Sequence, residues 1–367
     1  MNIGIDARLS GSKHAGIGRY IENLLIQLLK KKTPHTFTCF FYSQEQAEAV
    51  LGKALKQQNV RIVIVPITHY TVAEQLKLPK IFAAHKLDLL HVPHFNIPIF
   101  YKGTLVVTIH DLLWHEYTGT SVTTLSPIKY LLKYLFYRVV TSVAVRRAKI
   151  IVVPAETIKQ TVLKFYPSVE QKIKVTKEGA NILTQPKNTT EQPSKLKNTL
   201  LYVGSLYPHK NVQLILRSLP FLPKYTLLIA GSRNVFQDRL KNYIKQKDIV
   251  DQVEFLGYVP DAELVELYQK VTALVQPSFS EGFGLTGIEA MSVGTSVLAS
   301  DIPIFKEIYQ DVAFYFSPHS TASFIQAVHA LEQNPDEKNF EGMQLAKTYS
   351  WEKMAAQTLE AYAQSTQ

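Results

Sequence analysis

Cysteine is almost missing from this chain: Cys39 stands alone in 367 residues. A lone thiol closes no intramolecular disulfide, so stability must come from a packed core, and the pattern fits a reducing compartment. Cys39 itself, between Thr38 and Phe40, reads as a buried strand residue. Long apolar runs are missing too, since no stretch reaches the roughly 18 uncharged apolar residues of a membrane-crossing helix. The segment from Met1 to Ala7 reads as a strand rather than a signal peptide, because no basic region precedes a long apolar one. The expectation is a cytoplasmic protein, soluble or peripheral on the inner face of the cell membrane. Zinc-ligand spacing is also lacking. His91 and His94, three apart in extended chain, make a poor metal pair without a third ligand.

Acidic residues are scarce in one half only. Residues 1–180 hold 24 Lys and Arg against 11 Asp and Glu, a balance of +13, whereas 181–367 hold 16 against 19, a balance of −3. The basic half is expected to meet an anionic partner. An anionic membrane surface and a lipid-diphosphate acceptor both fit. Nucleic acid ranks last, because no nucleic-acid fold signature accompanies the charge.

What the chain does have is material for two α/β domains: 46% hydrophobic and 19% charged residues over a length that allows two cores. Apolar strand candidates fall at 2–7, 36–42, 61–65, 87–92, 104–109 and 149–153, then at 200–204, 227–231, 253–260 and 296–303. Helical spacing lies between several of them, which predicts mostly parallel sheets covered by helices. The polar stretch 185–198, with Pro186 and Pro193, reads as a linker between a domain at 1–184 and another at 199–349. A last helix fills 350–367. The long helix at 127–149 reads as packed on a sheet, with Arg146, Arg147 and Lys149 offsetting its C-terminal dipole. The other reading makes Lys129, Lys133, Tyr137 and Arg138 a lipid-facing stripe.

The chemistry concentrates in Ser278–Ser292. Glu281 and Glu289 bracket Gly282, Gly284 and Gly287 between a strand ending at Pro277 and a helix starting near Leu285. Glycines let the backbone approach a ligand, helix-start amides attract anions, and carboxylates accept hydrogen bonds from sugar hydroxyls. That combination points to a sugar nucleotide. Lys210 opens a helix after the strand ending at Gly204, where an ammonium would neutralise a departing diphosphate. The loop 11–19, holding Gly16, Gly18 and Arg19, follows the first strand and precedes a helix from Tyr20 to Lys30, without the GxGxxG dinucleotide spacing. His110 ends another strand, either as a structural hydrogen-bonding group or as a site residue.

These motifs, GSLYPHKN from Gly204, GYVPDAEL from Gly257 and EGFGLTGIEA from Glu281, resemble those of retaining GT-B glycosyltransferases of the family-4 type with their EX7E motif, notably bacterial mannosyltransferases of polysaccharide assembly. The resemblance implies two Rossmann-like domains facing each other across a cleft, with the C-terminal helix crossing back to the first domain. It implies retaining transfer of a hexose, best matched to mannose from GDP-mannose, onto a glycan or lipid-diphosphate-linked acceptor, with no cofactor and no metal. It implies catalytic roles for His110, Lys210 and Glu281. Donor contacts would come from Gly16, Gly18, Arg19, Gly204, Tyr258, Val259, Glu289 and the amides of Phe283, Gly284 and Leu285. Ser205 stands where the family usually has arginine, so Arg233 or Arg19 becomes the candidate for the second positive charge. The rival readings are a UDP-sugar donor, another GT-B activity such as a phosphorylase or epimerase, and a non-catalytic sugar-nucleotide-binding partner.

Overall fold

A computed structural model of the protein describes residues 1–11, 14–119, 123, 126–180, 195–231 and 236–366. The chain divides into two units, one of Met1–Trp114, Pro127–Gly179 and Ser350–Gln367, the other of His115–Ser126 and Ala180–Tyr349. The sequence places a linker at 185–198 and a returning C-terminal helix at 350–367; the short segment 115–126 also belongs to the second unit.

In the first unit, β1 (Asn2–Asp6), β2 (Thr36–Phe41), β3 (Val60–Ile64), β4 (Leu89–Val92), β5 (Leu105–Thr108), β6 (Ile150–Val153) and β7 (Ile173–Val175) form one sheet in the order β3-β2-β1-β4-β5-β6-β7. In the second, β8 (Thr199–Val203), β9 (Thr226–Ala230), β10 (Val253–Gly257), β11 (Ala273–Gln276), β12 (Ser296–Ser300) and β13 (Phe314–Phe316) follow the order β10-β9-β8-β11-β12-β13. Every pairing is parallel. Central strands such as β4, β5, β6 and β11 are buried along their whole length, as strands covered on both faces must be. The Cys39 thiol in β2 is fully buried, and desolvation pushes its pKa up to about 12. It packs as a small apolar group.

Each sheet reverses its strand order once, between β1 and β4 and between β8 and β11. Loops at the carboxyl ends of strands part there, which makes the reversal the ligand crevice of a doubly wound sheet. This topology, twice over, gives the two Rossmann-like units that the motifs imply.

The first helix runs Ala15–Lys30, five residues earlier than expected. Gly16, Gly18 and Arg19 are therefore in its opening turns rather than in a loop. Gly18 packs so close to the loop ahead that a Cβ there would sit 2.0 Å from the Gly11 carbonyl oxygen. The Trp351–Ser365 helix packs on the Ala15–Lys30 helix and β6, and the Tyr362 hydroxyl lies 2.6 Å from His91 Nδ1. His91 Nε2 is 2.8 Å from the Thr108 hydroxyl, so this ring is a core hydrogen-bonding group. The Pro127–Arg147 helix buries Tyr130, Tyr137, Val140, Thr141, Ala144 and Val145. Tyr137 thus belongs to the packed side, and the lipid-facing stripe drawn through it does not exist in that form.

Beside the β1–β4 reversal lies a buried ion cluster. Arg8 Nη2 donates to Asp6 Oδ2 at 2.7 Å and to Glu74 Oε1 at 2.9 Å, and Nη1 donates to the Ile67 carbonyl at 2.8 Å. Asn96 Nδ2 adds a bond of 2.8 Å to Glu74 Oε2. Burial raises both carboxyl pKa values. For Asp6 the Arg8 guanidinium more than reverses this and holds it below the usual range, whereas for Glu74 burial prevails. Arg8→Ala would strand two carboxylates in the interior, so urea denaturation should show a loss of about 3–5 kcal/mol.

Candidate functional site

The second unit gathers its candidate residues at the β8–β11 reversal. After β8 the chain turns through Gly204, at φ 152°, and Ser205, whose carbonyl accepts a 2.5 Å bond from the Tyr202 hydroxyl. Gly204 and Gly231 touch backbone to backbone: a Cβ on Gly231 would sit 2.2 Å from the Gly204 carbonyl oxygen. A short 3-10 turn, Pro208–Lys210, then presents Lys210. Asn211 follows in the left-handed conformation, at φ 54°, and the helix proper starts at Val212. Asparagine tolerates that conformation better than most residues.

The loop after β11 is clamped to this turn. Asn211 Nδ2 donates to the Pro277 carbonyl at 3.0 Å and to the Pro318 carbonyl at 2.9 Å. Phe279 N donates to the His209 carbonyl at 2.8 Å, and the Tyr117 hydroxyl donates to the Phe279 carbonyl at 3.1 Å. Across the clamp, Lys210 Nζ donates to Glu281 Oε2 at 2.6 Å while Ser278 Oγ donates to Oε1 at 2.7 Å. Burial alone would raise the Glu281 pKa. The Lys210 ammonium and these two bonds outweigh it and hold the carboxyl below its usual value of 4.5. The stability that this pair contributes is therefore present above about 4.5 and lost as pH falls through the lower folded value.

The helix Leu285–Ser292 begins where the sequence places it, with Glu281 in the loop and Glu289 buried in the second turn. Gly284 precedes it at φ 100° and offers no side-chain cap, so the opening amides can face an anion, although the Gly287 amide already donates to the Gly284 carbonyl at 3.1 Å. The Tyr309 hydroxyl donates to the Gly284 carbonyl at 2.6 Å and also bonds Gln276 Oε1. Phe283 turns its ring inward against Tyr349, centroids 5.5 Å apart, leaving its backbone at the loop. Tyr258 and Val259 follow edge strand β10, two strands from β8, with the Tyr258 ring exposed. Arg233 lies outside the described residues, so the site's second positive charge has no described assignment in this unit.

In the first unit His110 is buried at the end of β5. Its Nδ1 is 3.0 Å from Glu178 Oε1 and its Nε2 is 3.2 Å from the Pro93 carbonyl, with the Tyr20 ring edge-on at 4.7 Å. Both nitrogens meet acceptors, so the ring is fixed at two ends. Sequence reasoning missed Glu178 as well as the Asp6–Arg8–Glu74 cluster and the Asn211 clamp. Asn211 sits next to Lys210 in the motif and was legible there; the others gave no local signal.

Two alanine substitutions separate the glycines. Gly284→Ala meets the Tyr309 hydroxyl at 2.2 Å in a left-handed conformation, whereas Gly16→Ala meets nothing within 4 Å inside a helix. Calorimetry should show the first losing about 1–3 kcal/mol and the second changing by no more than about 0.5 kcal/mol.

The family model for glycosyl transferases group 1 matches residues 185–342, and that for glycosyltransferase family 4 matches residues 14–182. Among curated relatives, the O-antigen chain mannosyltransferase RfbU of Salmonella typhimurium is 30% identical over 74% of this chain and 72% of its own length. The O-antigen chain mannosyltransferase B of Escherichia coli is 28% identical over 76% and 74%. Among solved structures, HepE of Anabaena in complex with UDP and glucose superposes with a TM-score of 0.75 at 16% identity over 99% of both chains. WaaG, a glycosyltransferase involved in lipopolysaccharide biosynthesis, gives 0.72 at 14% identity over 98% of this chain and 99% of its own. With both halves matched and the two sheets built as the motifs require, this chain belongs to the group 1, family 4 glycosyltransferases.

Proposed function

We propose that the protein is a retaining, metal-independent hexosyltransferase that moves mannose from GDP-mannose to a glycan or lipid-diphosphate-linked acceptor in bacterial polysaccharide or glycolipid synthesis. The observation that carries this reading is the Lys210–Glu281 pair at 2.6 Å, placed beside uncapped helix amides at a strand reversal. The mannosyltransferase relatives favour the sugar. The bond from the anomeric carbon to the diphosphate oxygen breaks, and the acceptor hydroxyl oxygen bonds to that carbon on the same face. The leaving phosphate takes the acceptor's proton. Charge building on the diphosphate is met by Lys210 and the amides of Phe283, Gly284 and Leu285. Glu281 accepts hydrogen bonds from the transferred sugar, Glu289 from the ribose, and His110, braced by Glu178, assists at the sugar.

Metal independence belongs to this reading because Lys210 and the helix-start amides would supply the positive charge at the diphosphate. Among the described residues no helix is long and apolar enough to cross a membrane. Peripheral association of the basic half with an anionic inner-membrane surface completes the proposal, since the acceptor would be held there. A second reading keeps the mechanism and changes the donor to a UDP-sugar, because HepE carries UDP and glucose in its solved structure.

Thermal shifts with GDP, UDP, ADP and their sugar conjugates, with and without EDTA, test the donor. A hundredfold excess over Kd stabilises by about 2.7 kcal/mol, enough to read as a clear rise in melting temperature. A GDP-selective, EDTA-insensitive rise is expected; a UDP-selective one selects the second reading, and no rise with any nucleotide removes the transferase assignment. Glu281→Ala should lower turnover at least about a hundredfold, through lost positioning of the sugar, while the nucleotide shift persists. Unchanged turnover would strip Glu281 of its role.

A further inference from the structure

The Pro127–Arg147 helix carries a second apolar side that is exposed among the described residues. Ile128, Leu131, Leu132, Leu135 and Val139 are 75, 54, 65, 52 and 54% exposed. Their spacing of i, i+3, i+4, i+7 and i+11 puts them in one stripe, opposite the side that packs through Tyr130, Tyr137, Val140 and Ala144. Isolated exposed leucines are ordinary, but five on one arc are not. The 21-residue helix contains no Asp or Glu, and Lys129, Lys133, Arg138, Arg146 and Arg147 are all exposed. Two of these cations rest on aromatic side chains, Arg138 beside the stripe and Lys133 toward the packed side. Lys133 Nζ lies 5.7 Å from the ring centroids of Tyr70 and of Trp114, and Arg138 Nη1 bonds the Tyr134 hydroxyl at 3.0 Å.

We propose that this helix is the membrane-docking face of the protein, lying flat on an anionic lipid surface with the five apolar side chains inserted and the cations at the headgroups. The inference deepens the membrane reading above, on which it rests, by giving it a place in the fold. The charge pattern selects the occupant. An isologous pairing with a second copy would set rows of like charge against each other, with no carboxylate on either helix to answer them. The stripe is also small for such a role. Eleven residue steps from end to end, it is about 17 Å long, and at roughly one helix diameter of width it falls well short of the ~800 Å² per partner of a stable interface. An acidic lipid surface supplies both the apolar layer and the negative charge that this face lacks.

The test is flotation of the full chain with vesicles of phosphatidylglycerol and phosphatidylethanolamine, against vesicles of phosphatidylcholine alone. The wild type should float with the anionic vesicles and release as salt rises. Leu131→Ser with Leu135→Ser should lower that partition roughly tenfold or more, since two leucines that would insert into the lipid are removed. Lys129→Gln with Arg138→Gln should weaken it and flatten the salt dependence. All four positions are exposed, so circular dichroism melts and the nucleotide shift should match wild type. Flotation of the wild type that survives Leu131→Ser with Leu135→Ser would overturn this helix as the docking face while leaving membrane association standing. No flotation of the wild type would overturn both, without touching the donor assignment. A dimer abolished by the same double substitution, with no flotation, would assign the face to a second copy and overturn the proposal.

Discussion

Parallel pairing is the constraint on which everything else here depends. Strands that all run one way must be joined by crossovers, so all their carboxyl ends open on the same edge of the sheet. In the second unit this brings the loops after β8, β9, β10 and β11 to one rim, and the order reversal between β8 and β11 parts two of them. Lys210 and Glu281 are 71 residues apart in the chain and become ion-pair partners because they follow those two strands. The chemistry of the site is therefore a consequence of strand order before it is a property of any one residue.

Holding that pair in place is the work of backbone geometry. Asn211 and Gly284 occupy left-handed conformations, and Gly204 a positive φ, at the turns between strand and helix. At Gly284 the requirement is double, because the conformation is left-handed and the Tyr309 hydroxyl fills the space a side chain would need. The same tyrosine ties Gly284 to Gln276 at the end of β11. The helix-start amides are thus fixed before any anion arrives, and little reorganisation is left for binding.

The strands are legible where the run is wholly apolar and rich in β-branched residues, as in β6, Ile150–Val153. β7 and β13 have three residues each, too few to show a period in the sequence. The start of the first helix was misplaced because two glycines, Gly16 and Gly18, read as a loop; Gly18 is there to let the helix approach the Gly11 carbonyl. Lys210, Glu281 and Gly284 were legible because their motif segments are short and local. Glu178 was not, since it lies 68 residues from His110 and only the sheet brings them to 3.0 Å. Arg8 was hidden for a similar reason: Asp6 is close in sequence, but Glu74 is 66 residues away.

The Pro127–Arg147 helix shows a different limit. Its period was legible; its orientation was not. Both sides are apolar enough to pack on a sheet, one through tyrosine, valine and alanine, the other through isoleucine and leucine. A hydrophobicity scale would bury the leucines first. The fold buries the other side, where small residues such as Ala144 allow close approach of the helix to the strands beneath and Tyr137 meets Trp114 and Phe95. Five large aliphatic side chains are then left in water, at a cost that the unit by itself does not recover. A helix that exposes its most hydrophobic residues, and carries charge of positive sign only, is organised for a second apolar phase with negative charge at its boundary.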